Sequence, residues 1–229
     1  MEPSLKIYDQ LLQFPLFQGM SHADLMHIVA HTKFDFTKHP HGRRFLREGD
    51  PCTQLYFLIS GTLRTETTAD DGGYRVVEQL SAPYIVQPEA LFGLGQRYTA
   101  TIYAHTDVSL FAIGKNDLMN MVTQLLVFRL NLLNIYATQT QRRLHGPWRR
   151  PPQSLRQRIV RFIADHCRYP AGPKELYILM NRLAYELNDS RLDISRALNS
   201  LQADGLLTLS RGCIHVPALE LLIQGQAQT

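Results

Sequence analysis

Little in these 229 residues suggests a crosslinked, exported or membrane-spanning chain. Three cysteines, Cys52, Cys167 and Cys213, lie far apart and are odd in number. That argues against a disulfide framework and fits a reducing cytoplasm. Three scattered thiols are also too few for the four ligands of an ordinary iron–sulfur cluster. No long apolar run is present. The longest apolar zone, Met119 to Tyr136, is broken by Asn120, Thr123, Gln124, Arg129, Asn131 and Asn134, so it is not expected to cross a bilayer. Met1-Glu2-Pro3-Ser4 lacks the basic start of a secretory leader. The net charge of +4 is too mild to define a polyanion binder by itself.

What is present is an ordinary globular composition, 45% hydrophobic and 19% charged, in a chain long enough for two cores. The basic charge is local. Arg142, Arg143, Arg149, Arg150, Arg156, Arg158 and Arg161 share a stretch without a single acid. Such a stretch suits DNA, although a solvated helix face gives the same pattern.

The texture changes along the chain. Ile7 to Ala30 reads as short helices around Phe14-Pro15-Leu16-Phe17, with Ser21 as an N-cap. From Lys33 to Ile113, β-branched and aromatic runs alternate with turn signals at Gly49-Asp50-Pro51, Ser60-Gly61, Asp71-Gly72-Gly73 and Gly93-Leu94-Gly95. Many short strands at this spacing predict an antiparallel β-roll, or jelly roll. One long helix is expected from about Asn116, its cap, to Leu144. Leu118, Met121, Leu125, Phe128, Leu132 and Ile135 recur at alternating steps of three and four, and are read as the dimer seam. A second row, Val122, Leu126, Leu133 and Tyr136, runs beside it. His145-Gly146-Pro147 ends the helix as a hinge.

The overall expectation is an α+β chain in three parts. Residues 1–115 form the β-roll with flanking helices, 116–146 the long dimerisation helix and hinge, and 147–229 a winged helix-turn-helix domain. In the last part, Ser154 caps a helix, and a loop runs through Tyr169-Pro170-Ala171-Gly172-Pro173. Helices over 182–187 and 191–204 then flank Asn188-Asp189-Ser190. Strands around Ser210-Arg211-Gly212 form a wing, and Pro217 to Ile223 a terminal helix. A short helix, a tight turn and a polar, basic second helix are the elements that enter a major groove. Leu183, Ala184, Leu187, Ile194, Leu198 and Leu201 should hold the pair together. Ser190, Arg191, Leu192, Asp193, Ser195, Arg196, Asn199 and the wing's Arg211 are left as candidate DNA-binding residues. Three-helix units of this pattern also serve as docking modules that bind no DNA, and that alternative stands beside the DNA reading.

Three segments in this order resemble the CRP/FNR superfamily of bacterial transcription regulators. They are Pro15-Leu16-Phe17 with Ser21 to Leu25, Phe45 to Asp50 followed by Leu55 to Gly61, and Ser190 to Arg196. The resemblance implies a cytoplasmic homodimer, a cyclic-nucleotide-binding-like roll that senses a small molecule or a redox or gas signal, and recruitment of RNA polymerase. It also implies double-stranded DNA carrying an inverted repeat with half-sites about one helical turn apart. The family commonly has Glu where Leu192 stands, so the preferred site should differ from the catabolite-activator one.

In cyclic-nucleotide-binding relatives, a Gly-Glu-Leu turn and an Arg-Ser/Thr pair hold the ribose and phosphate. Here the turn reads Gln87-Pro88-Glu89-Ala90 and the pair falls within Arg97-Tyr98-Thr99. Pro88 has no amide hydrogen, Tyr98 stands in the arginine's place, and Arg97 is one residue out of register, facing the opposite side of a strand. Glu89, Ala90, Arg97, Tyr98 and Thr99 are the candidate effector residues, with ordinary cAMP not expected. A haem held by a His or Met is compatible with the nine histidines, and His27 and His31 share a helix face. A cupin-like metal enzyme is the competing reading, from His39-Pro40-His41 and Glu48. Its third element is missing, and no nucleophilic triad or phosphate loop appears, so neither catalysis nor a metal site is expected.

Overall fold

The computed structural model describes residues 3–225. Met1 and Glu2, which enter the expectation about a leader, lie outside the described residues. The chain forms two compact units. One contains the residues up to 63 together with 80–147, and the other contains 64–79 together with 148 onward. The departure from the expected boundary is the segment 64–79. It lies among roll strands in sequence yet folds with the C-terminal unit.

The first unit opens with α1 (Pro3–Leu12), a 3₁₀ turn at Pro15–Phe17 and α2 (His22–His31). The Ser21 hydroxyl accepts from the Asp24 amide at 3.1 Å and the Asp24 carboxylate reaches back to the Ser21 amide at 3.4 Å, a reciprocal cap. Strands follow along the chain: β1 (Phe34–His39), β2 (Arg44–Leu46), β3 (Gln54–Ser60), β4 (Thr62–Thr68), β5 (Tyr74–Ser81), β6 (Tyr84–Val86), β7 (Thr101–Ala104) and β8 (Val108–Gly114), most of β4 and β5 belonging to the second unit. Within this unit β1, β8, β3 and β6 form an antiparallel sheet, and β2 pairs with β7. Its core is aromatic. Phe57 and Phe111 stack at 4.5 Å, and Phe14 meets both edge-on at 5.2 and 5.6 Å. All three are buried, each contributing about 1.5–3 kcal/mol. Gly61 is required where β3 turns into β4. Its φ is +89°, and a β-carbon there would lie 2.4 Å from the Asp107 carbonyl oxygen.

The expected single long helix is two helices. α3 (Lys115–Gln124) starts from Gly114 rather than Asn116, and α4 (Leu126–Leu144) leaves it at a bend of 112°. The break falls on Leu125, whose backbone is extended (φ −112°, ψ 102°). It spares the backbone hydrogen bonds on both sides. The Leu125 amide donates to Met121, closing α3, and its carbonyl accepts from Arg129, opening α4. The bend lets each half bury one apolar row within this unit, Leu118 and Met121 on α3 and Phe128 and Leu132 on α4. Phe128 packs on Phe17, and the Asn131 amide donates to the carbonyls of Leu16 (3.1 Å) and Gln18 (2.8 Å). Among the described residues no single helix is long and apolar enough to cross a membrane.

The second unit contains α5 (Leu155–His166), β9 (Lys174–Ile178), α6 (Met180–Glu186), α7 (Arg191–Ala203), β10 (Thr208–Ser210), β11 (Cys213–Val216) and α8 (Leu219–Gln224). Ser154 caps α5, accepting from the Gln157 amide at 3.2 Å. Gly205, at φ +71°, ends α7 and lets the Leu206 amide reach back to Leu201. The core gathers Ile159, Ile163, Leu176, Ile194, Leu198, Leu201 and Val216, with Val76 from β5. Strand β5 joins this unit by antiparallel pairing to β9, with Tyr74 opposite Ile178 and Glu78 opposite Lys174. The order within the unit is β10, β11, β9, β5. Behind this pairing lies a buried ion pair. Lys174 Nζ is 3.1 Å from Glu78 Oε1, and each side chain is 1% exposed. The Glu78 carboxylate also accepts from the amides of Arg168 (3.0 Å) and Tyr169 (3.2 Å), while Lys174 donates to the Ala171 carbonyl at 2.8 Å.

Candidate functional site

Helix α7 begins at Ser190, whose hydroxyl accepts from the Asp193 amide at 3.1 Å and donates to the Asp193 carboxylate at 2.6 Å. Its inner face, Ile194, Leu198 and Leu201, is fully buried. The helical period therefore leaves Arg191, Leu192, Arg196 and Asn199 exposed on the outer face, with Asp193 and Ser195 half-exposed beside them. Leu192 is 60% exposed, a large apolar side chain in water at a helix start. Arg196 makes a loose contact with Asp193 at 3.4 Å and keeps most of its surface in solvent. Arg211, at the wing tip before Gly212 (φ +72°), is exposed too. The structure thus brings the eight candidate DNA-binding residues onto the outside of one unit: seven on or beside the first turns of α7 and one on the wing.

The arginine stretch behaves differently from a free basic patch. Arg156 donates to Ser200 and Asp204, both at 2.6 Å, and ties α5 to α7. Arg158 donates to the Leu187 carbonyl at 2.9 Å and pairs with Asp189, bracing the turn before α7. Arg161 donates to the Arg150 carbonyl at 2.9 Å, and Arg149 faces Asp165 at 3.4 Å. The acids facing Arg149, Arg156 and Arg158 lie 16, 48 and 31 residues away, so a window along the sequence counts charge that the fold partly neutralises.

In the first unit, the candidate effector turn is a 3₁₀ turn at Pro88–Ala90 preceded by Gln87 in the left-handed region (φ 44°). Gln87, in the sequence only the first residue of that turn, organises the site. Its buried carbonyl accepts from the Thr99 amide at 2.7 Å and the Thr99 hydroxyl at 2.9 Å, and its NH₂ donates to the Ala100 carbonyl at 3.2 Å. Tyr98 is buried and donates to the Gln54 carbonyl at 2.9 Å. Burial first, then the nearby Cys52, pushes the Tyr98 phenol far up, and each leading influence on it acts in that direction. Burial likewise raises the Cys52 thiol. Ala90 is buried, and Glu89 is near enough to help raise Tyr136, whose hydroxyl is pushed up to about 12 mainly by burial. That hydroxyl donates to the Pro88 carbonyl at 2.8 Å, linking α4 directly to the turn. Arg97 departs from the expected set. It is exposed and donates to the Gly49 carbonyl at 2.7 Å, as its position one residue out of register requires. Thr99 is exposed, with its hydroxyl already committed to Gln87.

His27 and His31 stack ring on ring at 4.3 Å instead of converging, and His31 Nδ1 is held by the His27 carbonyl at 2.9 Å. A cleft of about 140 Å³ lies beside them, lined also by Asp117, Met121 and Gln124. His39 stacks on Phe45 at 5.0 Å, and His41 Nδ1 meets the His105 carbonyl at 2.6 Å, so the cupin-like pair is spent on packing and backbone. The six-residue dimer seam is corrected. Leu118, Met121, Leu125, Phe128 and Leu132 are buried within one chain, and Ile135 is half-buried. Their burial follows from the bend at Leu125. The face left to solvent on α4 carries Leu126 (57%), Leu130 (48%) and Leu133 (57%).

A model of the cyclic nucleotide-binding domain matches residues 18–124. Over 208 residues the chain is 25% identical to the cyclic AMP receptor protein of Thermus thermophilus, covering 91% of this chain and 94% of that protein. It is 27% identical over 188 residues to the CRP-like protein Clp of Xanthomonas euvesicatoria, covering 75% and 82%. The fold is similar to that of the Thermus thermophilus catabolite activator protein, with a TM-score of 0.50 at 20% identity over 94% of this chain and 99% of that one.

Proposed function

We propose that this chain, a member of the CRP/FNR superfamily with a cyclic nucleotide-binding domain at residues 18–124, is a homodimeric, sequence-specific DNA-binding transcription regulator. The observation that carries the reading is the division of labour on α7. Its inner residues are wholly consumed by the core, while two arginines, an asparagine and an exposed leucine occupy the opposite face behind a capped N-terminus. An arginine fork can bond guanine at two points, worth roughly 1–3 kcal/mol of discrimination. Leu192 offers a thymine methyl an apolar partner. Two such helices, held by pairing of the Leu126–Leu130–Leu133 face of α4 with its twin, would read an inverted repeat in double-stranded DNA. RNA polymerase is the partner such a regulator would recruit.

The roll is proposed as the sensor. An effector near Glu89 and Tyr98 would act on α4 through the Tyr136–Pro88 hydrogen bond, and through α4 on the hinge at Gly146-Pro147. It can shift the equilibrium only by binding two arrangements unequally. With Tyr98 where an arginine would stand, and Arg97 turned to Gly49, the turn offers no guanidinium to a phosphate, so the effector is not ordinary cAMP. Selection of bound sequences from random duplex DNA tests the core of this reading. An inverted repeat is expected, and recovery of no preferred sequence with or without cell extract would overturn it.

A further inference from the structure

Sheet alternation places a second cluster of chemistry in the C-terminal unit, on the face turned away from its helical core. Leu176, Ile178, Ile214 and Val216 point inward. Their neighbours Glu175, Tyr177, Cys213 and His215 must therefore share the outer face. Register brings them together, with His215 directly opposite Glu175 and Cys213 opposite Tyr177. One ligand atom from each of Glu175, Cys213 and His215 lies within 4.8 Å of the others. His215 Nδ1 is 4.0 Å from Glu175 Oε1 and 3.9 Å from Cys213 Sγ.

We propose that Cys213, His215 and Glu175 form a site for a thiophilic divalent cation, with Zn²⁺ as the best fit. A thiolate, an imidazole and a carboxylate suit a borderline-soft ion, whereas Mg²⁺ and Ca²⁺ require oxygen donors. Ligands on a tetrahedral zinc stand roughly 3.5 Å apart, given metal–ligand lengths near 2.0–2.3 Å. The two separations from His215, 4.0 and 3.9 Å, are wider by a few tenths of an ångström, and that between Cys213 and Glu175 stays within 4.8 Å, so side-chain rotation must draw the three together. The outer contacts point the same way. The Ser210 hydroxyl donates to the Cys213 carbonyl at 3.4 Å, which leaves its oxygen to accept from His215 Nε2 at 2.9 Å. With a metal on Nδ1 the imidazole proton sits on Nε2, where the Ser210 oxygen is placed to accept it. Tyr177 donates to Glu175 Oε2 at 2.6 Å, leaving Oε1 toward the histidine, while its ring lies under the Arg75 guanidinium at 4.4 Å. Cys213 is buried, but His215 and Glu175 are 40% and 36% exposed, so an ion has a path in and a solvent-facing fourth position. Three protein ligands on β9 and β11 would clamp the wing hairpin to its neighbouring strand. The site does not depend on whether the chain binds DNA.

The test uses the full chain, reduced and stripped with chelator, titrated with Co²⁺ and then back-titrated with Zn²⁺. One equivalent of Co²⁺ showing a thiolate charge-transfer band, displaced by one equivalent of Zn²⁺, is expected. Cys213→Ser should abolish the band. His215→Gln and Glu175→Gln, at partly exposed positions that should leave the fold intact by circular dichroism, should each weaken binding more than tenfold. Ser210→Ala, which removes only the outer contact, should weaken it about tenfold. His27→Ala should change nothing. Absence of the band in the folded wild-type chain would overturn the proposal, as would a band that survives either Gln substitution at full affinity.

Discussion

Removing the charge of Lys174 while keeping its length is the sharpest perturbation this fold offers. In Lys174→Met the Glu78 carboxylate, 1% exposed, keeps the amides of Arg168 and Tyr169 but loses its counter-ion at 3.1 Å. An uncompensated buried charge costs about 3–5 kcal/mol. The methionine recovers part of the lysine stem's packing, so the lower half of that range, about 3 kcal/mol, is expected. Glu78→Gln strands the ammonium instead. One amide oxygen must then serve both backbone amides, and the loss should be similar. The double variant, neutral on both sides, should lose far less than the sum, with a coupling of about 2 kcal/mol or more in the double-mutant cycle. Urea unfolding of the full chain, followed by far-ultraviolet dichroism at constant slope, measures all three. If Lys174→Met shifts stability by under about 0.5 kcal/mol, the range of ordinary surface changes, the buried pair does not hold β5 to β9 and the reasoning fails.

Four further outcomes follow from the same geometry. Gly61→Ala meets both a positive φ and a 2.4 Å approach to the Asp107 carbonyl, and should cost about 3 kcal/mol in urea unfolding. Leu130→Glu on the exposed face of α4 should leave the monomer folded and convert the dimer to monomer in light scattering; an unchanged mass would remove that face as the seam. Arg191→Ala and Arg196→Ala should relax preference at defined base pairs by about 1–3 kcal/mol, whereas Arg150→Ala should mainly reduce the salt dependence of binding. His39 is held below its ordinary pKa of 6.5, first by burial and then by Arg43. The unfolded chain therefore takes up that proton first as pH falls. The histidine's contribution is complete above pH 6.5 and is lost as pH drops through the folded value, so His39→Gln should flatten the acid side of the stability curve.

Local signals were legible where chemistry is local. Ser21, Ser154 and Ser190 each cap the helix they precede, and the inner face of α7 follows its 3.6-residue period. The bend at Leu125 left no mark, because neither proline nor glycine causes it and both flanking helices keep their hydrogen bonds. Its consequence is that the six residues read as one seam are divided between α3 and α4, and five of them are buried within one chain. Strand β9 was hidden behind the loop signals at Tyr169 to Pro173 and by Lys174, a charge at an inward position that only Glu78, 96 residues earlier, makes acceptable. The Arg156 and Arg158 pairings, and the gathering of Cys213 and His215 with Glu175, depend on strand and helix neighbours that no sequence window spans. Gln87 read as a substitution within a family turn, and its structural work depends on Thr99 and Ala100 across the roll.

That β5 is made long before β9 has a bearing on the birth of the molecule. A ribosome delivering about 5–20 residues per second leaves the hairpin waiting roughly 5–20 s for its partner strand. During that interval Val76 and the Glu78 carboxylate have nothing to rest against, and the hydrogen-bonding groups of β5 form an open border that a neighbouring nascent chain could occupy. A protease cut at the hinge, or a gene fragment begun there, would create the mirror-image orphan: a winged unit with its lysine buried beside no acid. The C-terminal half of this polypeptide is thus not a separable cassette, and it must borrow sixteen residues from the other half to become itself.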